Sequence, residues 1–134
     1  MARRVLKALV IDDDWLSRNL LTEILTVKGV QVRAYTDPNA YRTHNVNEHC
    51  HTETPCFDFI LTDNQMPGMT GLEFIKWIKE MGCRIPNHHQ AIISGDWDEV
   101  ERQEALALGV RVFDKPCPVA QIHDWVENIS RESR

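Results

Sequence analysis

Apolar residues along this chain switch repeatedly between two periods. The stretch "VLKALVI" (5–11) is almost wholly apolar apart from Lys7, as a central strand covered on both faces requires. From Leu16 the spacing changes: Leu16, Leu20 and Ile24, with Leu21 and Leu25 beside them, form a helical stripe that Gly29 closes. These predict β1 and α1. "VQVRAY" (30–35) alternates as a less buried strand β2, and Asp37-Pro38 then supplies an N-cap and a first-turn proline for α2. Residues 43–55, "THNVNEHCHTETP", follow neither period and predict a loop. "FDFILT" (57–62) reads as β3, and Leu72, Ile75 and Ile78, with Phe74 and Met81, as α3 ending at Gly82. "QAIIS" (90–94) is β4, residues 98–108 a polar helix α4 with a weak apolar stripe, and "VRVF" (110–113) β5. Val119, Ile122, Val126 and Ile129, with Trp125, predict a firm α5. Strands alternating with helices in this way imply an α/β domain built on a parallel sheet.

Length adds a bound to that pattern. With 134 residues and no internal repeat, the expectation is one domain over 1–134, with no output domain in the chain. A core of this size needs no disulfide or metal merely to fold, so any metal must serve chemistry. The net charge of −5, with no basic cluster beyond Arg3, Arg4 and Lys7, argues against a nucleic-acid surface. No apolar run approaches the ~20 residues of a membrane span, and no signal-peptide core follows Arg3-Arg4, so a cytoplasmic protein is expected. Cys50, Cys56, Cys83 and Cys117 are irregularly spaced and suit reduced thiols better than a disulfide framework.

The chemistry-bearing residues gather by position. Asp12, Asp13 and Asp14 follow β1, Asp63 ends β3, Ser94 ends β4 and Lys115 follows β5. In an open parallel sheet these carboxyl ends share one edge, where ligands bind. Carboxylates gathered there repel one another unless a cation neutralises them, and an all-oxygen set suits Mg²⁺ rather than Zn²⁺. A carboxylate beside Mg²⁺ can attack phosphorus and form an aspartyl phosphate. Lys115 and the Ser94 hydroxyl could then pair with phosphoryl oxygens, while Asp14 suits a cap for α1.

Taken together, "VIDDD" (10–14), "DNQMPGMTG" (63–71), "IISG" (92–95) and "DKP" (114–116) resemble, in order and spacing, the response-regulator receiver domain of two-component signalling. The resemblance spans essentially the whole chain. It implies a doubly wound, five-stranded, flavodoxin-like sheet of order 2-1-3-4-5 with helices on both faces. By position, Asp12 and Asp13 match the Mg²⁺-binding pair, Asp63 the phosphoacceptor, and Gln65 the residue whose carbonyl completes the metal site. Ser94 matches the switch hydroxyl and Lys115 the family's lysine, at a Lys115-Pro116 bond where a cis peptide is common. A histidine kinase or histidine phosphotransfer protein is the implied donor. A downstream protein or output domain would read the α4-β5-α5 surface, with homodimerisation left open.

Three departures stand out. Val112 occupies the usual place of a switching aromatic and Phe113 comes one residue later; Cys117 replaces an aromatic after Lys115-Pro116; the loop before β3 is long. Two readings of other classes stay open: a haloacid-dehalogenase-type phosphatase, which needs a second Asp where Gln65 stands, and a flavodoxin-like ligand-binding or metal-binding module, which needs a Gly/Ser/Thr-rich loop where the three acids stand. His44, His49, Cys50, His51 and Cys56 are zinc-type side chains, but their spacing matches no paired zinc pattern. They are expected to be a solvated loop, as is the pair His88-His89. The four tryptophans, Trp15, Trp77, Trp97 and Trp125, are too scattered for a cofactor cage and read as core or partner anchors.

Overall fold

A computed structural model of the chain describes residues 5–44 and 57–132, the side chains of 42–44 excepted. His49, Cys50, His51 and Cys56, and the side chain of His44, therefore lie outside the described residues. The elements alternate as β1 (Lys7–Ile11), α1 (Trp15–Thr26), β2 (Gln31–Tyr35), α2 (Pro38–His44), β3 (Phe59–Asp63), α3 (Gly71–Glu80), β4 (Gln90–Ser94), α4 (Glu99–Ala107), β5 (Arg111–Asp114) and α5 (Val119–Glu132). A 3₁₀ turn, Asn87–His89, precedes β4. All strand pairs are parallel, in the order β2-β1-β3-β4-β5. The parallel sheet is what the alternation of patterns implied, and its doubly wound, flavodoxin-like order is the one the receiver-domain resemblance implied.

Alternation of side chains across the sheet divides the core in two. Ala8, Val10, Phe59, Leu61, Ala91, Ile93 and Phe113 face one way, onto Leu21, Ile24 and Leu25 of α1 and Ile122, Trp125, Val126 and Ile129 of α5. Leu9, Ile11 and Ile60 face the other, with Phe74 and Ile78 of α3 and Tyr41 of α2. Ile92 continues that second face beside Leu72, Ile75 and Ala105. β3 and β4 are buried throughout, whereas β2 is largely exposed, as its alternating polarity foretold.

The helix α1 differs from its expected facing. Its buried residues are Leu21, Ile24 and Leu25, while Leu16 is 67% and Leu20 42% exposed. Steps of four residues advance about 40° around a helix, so a stripe begun at Leu16 turns away from the face centred on Leu21 and Leu25. In α5, Val119 likewise sits at the exposed first turn, outside the buried face. β5 runs one residue later than its apolar run suggests because Asp114 continues the ladder opposite Ser94.

Candidate functional site

The strand ends bring the acids together. Asp12, the residue that follows β1, is fully buried, and Asp63, the last residue of β3, is 5% exposed. Asp13, next along the β1–α1 loop, is exposed. One carboxylate oxygen from each of Asp12, Asp13 and Asp63 lies within 4.8 Å of the others. Lys115 reaches into the same pocket, its Nζ 3.4 Å from Asp12 Oδ2 and 3.2 Å from Asp63 Oδ1. Residues 103 positions apart in sequence thus form one ion pair.

The loop after β1 is pinned by its own polar groups. Asp12 Oδ1 accepts from the Asp14 N–H at 2.9 Å, and Arg18 donates to the Asp12 carbonyl at 2.9 Å. Asp14 caps α1, accepting from the Ser17 N–H at 2.8 Å, which holds its carboxyl below the usual range. That division of labour leaves Asp12 and Asp13 for the pocket.

Two neighbours of Asp63 that sequence reasoning did not single out set its position. Asn64 is buried, its Oδ1 accepting from Leu72 N–H at 3.2 Å and its Nδ2 donating to Glu101 of α4 at 3.1 Å. Gly71 opens α3, where a Cβ would meet Asp63 O at 2.4 Å and Thr62 Cγ2 at 3.1 Å. No side chain fits there without moving the backbone that carries Asp63. A glycine at the first position of an otherwise well-patterned helix, behind the capping box of Thr70 and Glu73, was the available signal.

Burial and the charge of Asp12 push the Asp63 carboxyl up to about 6, with Lys115 pulling the other way. Burial also raises Asp12, against hydrogen bonding from Asp14 and the charge of Lys115. For Lys115 burial works against the charged form, but Asp63 and Asp12 outweigh it and the ammonium is held above its ordinary value. A single lysine faces three carboxylates, so the pocket is short of positive charge. Its donors are all oxygens, two of them on buried side chains, and a hard divalent ion such as Mg²⁺ suits that set where Zn²⁺ does not.

Ser94 borders the pocket at the end of β4, buried, and its backbone carbonyl accepts from Lys115 N–H at 2.9 Å. Its hydroxyl oxygen accepts from the Asp96 N–H at 3.3 Å. Gln65 is exposed and its side chain donates to Asp96 O at 3.1 Å, linking the β3–α3 and β4–α4 loops. Lys115-Pro116 is cis.

The register resolves Val112 against Phe113. Val112 lies opposite Ile92, on the face that Ser94 shares, while Phe113 lies opposite Ile93 and is buried against Trp125 of α5, ring centroids 5.7 Å apart. Phe113 therefore cannot follow Ser94 into the pocket. Val112 packs instead against the core of Leu72, Ile75 and Ile92, as does Trp97 from the loop after β4, whose indole N–H donates to Phe113 O at 3.2 Å. Cys117 fills the place of the expected aromatic as a half-buried thiol against the α1–α5 core.

Residues 8–127 match the family model described as the response regulator receiver domain. Among curated proteins, the chain is 30% identical to the sporulation initiation phosphotransferase F of Bacillus subtilis, over 90% of each chain. It is 26% identical to the two-component response regulator ARR22 of Arabidopsis thaliana, over 95% of this chain and 85% of that protein. Among solved structures, the N-terminal domain of an uncharacterized protein from Wolinella succinogenes superposes with a TM-score of 0.79 at 25% identity, covering 96% of this chain and 97% of the other.

Proposed function

Since this chain belongs to the response regulator receiver domain family of two-component systems, we propose that it is a phosphorylation-controlled switch whose phosphoacceptor is Asp63. The observation that carries this reading is the pocket: one lysine and three carboxylates at the carboxyl edge of the sheet, with Asp63 on its floor. The donor is a phosphohistidine on a histidine kinase or phosphotransfer protein. An Asp63 oxygen attacks phosphorus, the O–P bond forms as the N–P bond breaks, and the released imidazole keeps the electron pair and takes a proton from solvent.

Asp12, Asp13 and Asp63, with the Gln65 carbonyl, would hold Mg²⁺, which when bound offsets negative charge on the phosphoryl group in transfer. Lys115 exchanges its contact with the Asp63 carboxylate for one with the phosphoryl oxygens. The Ser94 hydroxyl releases Asp96 and donates to another of those oxygens, drawing the β4–α4 loop inward and altering the α4-β5-α5 surface that a downstream protein or output domain reads. The protein is not a turnover enzyme in this reading. Gln65 stands where a phosphatase of the haloacid-dehalogenase type places its acid/base carboxylate, so hydrolysis of the aspartyl phosphate has no side chain there to assist it.

The direct test is incubation with Mg²⁺ and acetyl phosphate, followed by intact and peptide mass measurement. One phosphoryl group on Asp63 is expected, absent in Asp63→Asn and in the presence of a chelator. An adduct retained in full by Asp63→Asn would overturn the assignment.

A further inference from the structure

A second cluster of ligand-type side chains lies at the opposite end of β4. The turn Asn87–His89 leads into the strand whose far end, Ser94, borders the acid pocket, so about 16 Å of strand separates the two. Neighbouring side chains on a 3₁₀ turn point about 120° apart. Those of His88 and His89 nevertheless converge on one carboxylate from the last turn of α5: His88 Nε2 lies 2.9 Å from Glu132 Oε1, and His89 Nε2 lies 3.0 Å from Glu132 Oε2. The rings sit edge to face, centroids 4.3 Å apart. Of the pair expected to be a solvated loop, His88 is exposed as expected and His89 is buried.

The scaffold beneath them is anchored on three sides. The Trp125 indole donates to His88 O at 3.0 Å, His89 N–H donates to Pro86 O at 2.9 Å, and Asn87 Nδ2 donates to Leu108 O at 2.7 Å. The His89 side chain is only 11% exposed, whereas those of His88 and Glu132 are 60% and 49% open to solvent. Position and orientation are therefore set before any ligand arrives, and one side stays accessible.

We propose that His88, His89 and Glu132 form a second cation site, chemically unlike the acid pocket, that takes Zn²⁺ or a borderline transition ion of the same class. Two imidazole nitrogens and one carboxylate oxygen are the donors such an ion prefers, and they are a poor set for Mg²⁺. All three offered atoms already lie within 4.8 Å of one another. Ligands bonded to zinc at about 2.1 Å in a tetrahedron stand about 3.4 Å apart, so the two nitrogen–oxygen contacts of 2.9 and 3.0 Å are close to the spacing required, and a small rotation of the exposed Glu132 and His88 side chains sets the rest. The ion takes the place of the hydrogen between each ring and the carboxylate. Each imidazole then offers the Nε2 lone pair and keeps its proton on Nδ1, and a water completes the fourth position. Because the site joins the turn before β4 to the end of α5, binding reinforces a contact otherwise held there by the Trp125 indole and the His–Glu132 hydrogen bonds, and it stabilises the fold by linkage.

The test is calorimetric titration of the full chain with Zn²⁺ alone, in a Cys50→Ser/Cys56→Ser background so that the loop thiols do not compete. One ion per chain is expected, with a rise in melting temperature on binding. Loss of an outer partner alone weakens metal sites about 10–100-fold, so His88→Ala and Glu132→Gln, both exposed positions, should each weaken binding by at least about tenfold and remove the thermal shift. Asp13→Asn should change neither. Absence of one-to-one binding, or binding that survives both substitutions unchanged, overturns the proposal and assigns the ion to other groups.

Discussion

Asp63 carries two opposed demands, and its protonation exposes them. Its carboxyl is raised from 3.8 to about 6 by burial first and by Asp12 second. A nucleophile must be ionised, so at limiting Mg²⁺ phosphorylation by acetyl phosphate should fall as pH drops through about 6, and bound Mg²⁺, which favours the carboxylate, should move that fall to lower pH. An initial rate that stays flat well below that value would contradict it. The same shift acts on stability. With the folded value above the unfolded one, the native state binds more protons between 3.8 and about 6, so this group's contribution is favourable at low pH and is lost as pH rises through that window. At neutral pH without Mg²⁺ the ionised pocket therefore destabilises the fold by roughly 2–3 kcal/mol. Asp63→Asn should recover much of it and melt higher than the parent in metal-free buffer, the gap narrowing once Mg²⁺ is added. A lower melting point for the Asn variant under those conditions would mean that the Lys115 pairing outweighs burial. Of these residues, Asp12, Asp13, Asp63, Ser94 and Lys115 were legible in the chain because each sits at the end of a strand. Asn64 was not, since only its burial and its reach to Leu72 and Glu101 reveal what it does.

At the scale of elements, α3 is tightly held and α4 is not. α3 begins against the Asp63 backbone, and Gly71→Ala places a methyl group 2.4 Å from Asp63 O. Overpacking of this kind costs about 1–3 kcal/mol, and it should also slow phosphorylation by moving Asp63. A denaturation midpoint and a phosphorylation rate both equal to the parent's would show that the turn yields freely. α4 buries only Ala105 and leaves Val100 and Leu106 exposed. Its other ties are polar: Asn64 to Glu101, Lys76 to Glu104, and Arg102 to Asp114. Exposed pairs contribute about 0–1 kcal/mol each, so this helix can shift at little cost, as a signalling element should. Trp97, on the loop that Ser94 begins, packs against the core of Leu72, Ile75 and Ile92 and donates to Phe113 O. If Ser94 moves toward a phosphoryl group as proposed, the loop it begins would carry Trp97 with it. The tryptophan fluorescence change on phosphorylation should therefore vanish in Trp97→Phe and persist in Trp125→Phe; an undiminished signal in Trp97→Phe would place the movement elsewhere. The weak stripe of α4 was visible in the sequence, but the facing of α1 was not, because a run of leucines offers several stripes and packing selects one.

Over the whole molecule, the acid pocket has an apolar rim. Trp15, Leu16 and Leu20 are exposed on α1, which starts directly after the capping Asp14. Exposed apolar side chains suit docking, and the helix that carries these begins at the loop of the acid pocket, so under the proposed function this is where a protein donor would rest. Leu16→Asp should slow phosphotransfer from a protein donor by about tenfold or more, the effect expected of a central contact, while leaving labelling by acetyl phosphate unchanged. Equal slowing of both would locate the defect in the pocket itself. By itself the sequence determined the alternation of strands and helices, hence the parallel sheet and the shared edge on which the acids, Ser94 and Lys115 meet; period and strand polarity are local properties, and parallel strands carry their ends to one side without further instruction. Only the tertiary structure decided which leucines of α1 are buried, that Phe113 turns to Trp125 and Val112 to the Ile92 face, and that His88 and His89 meet Glu132 from 44 and 43 residues away. Those outcomes depend on side-chain volume and on contacts between distant segments, which no local pattern encodes.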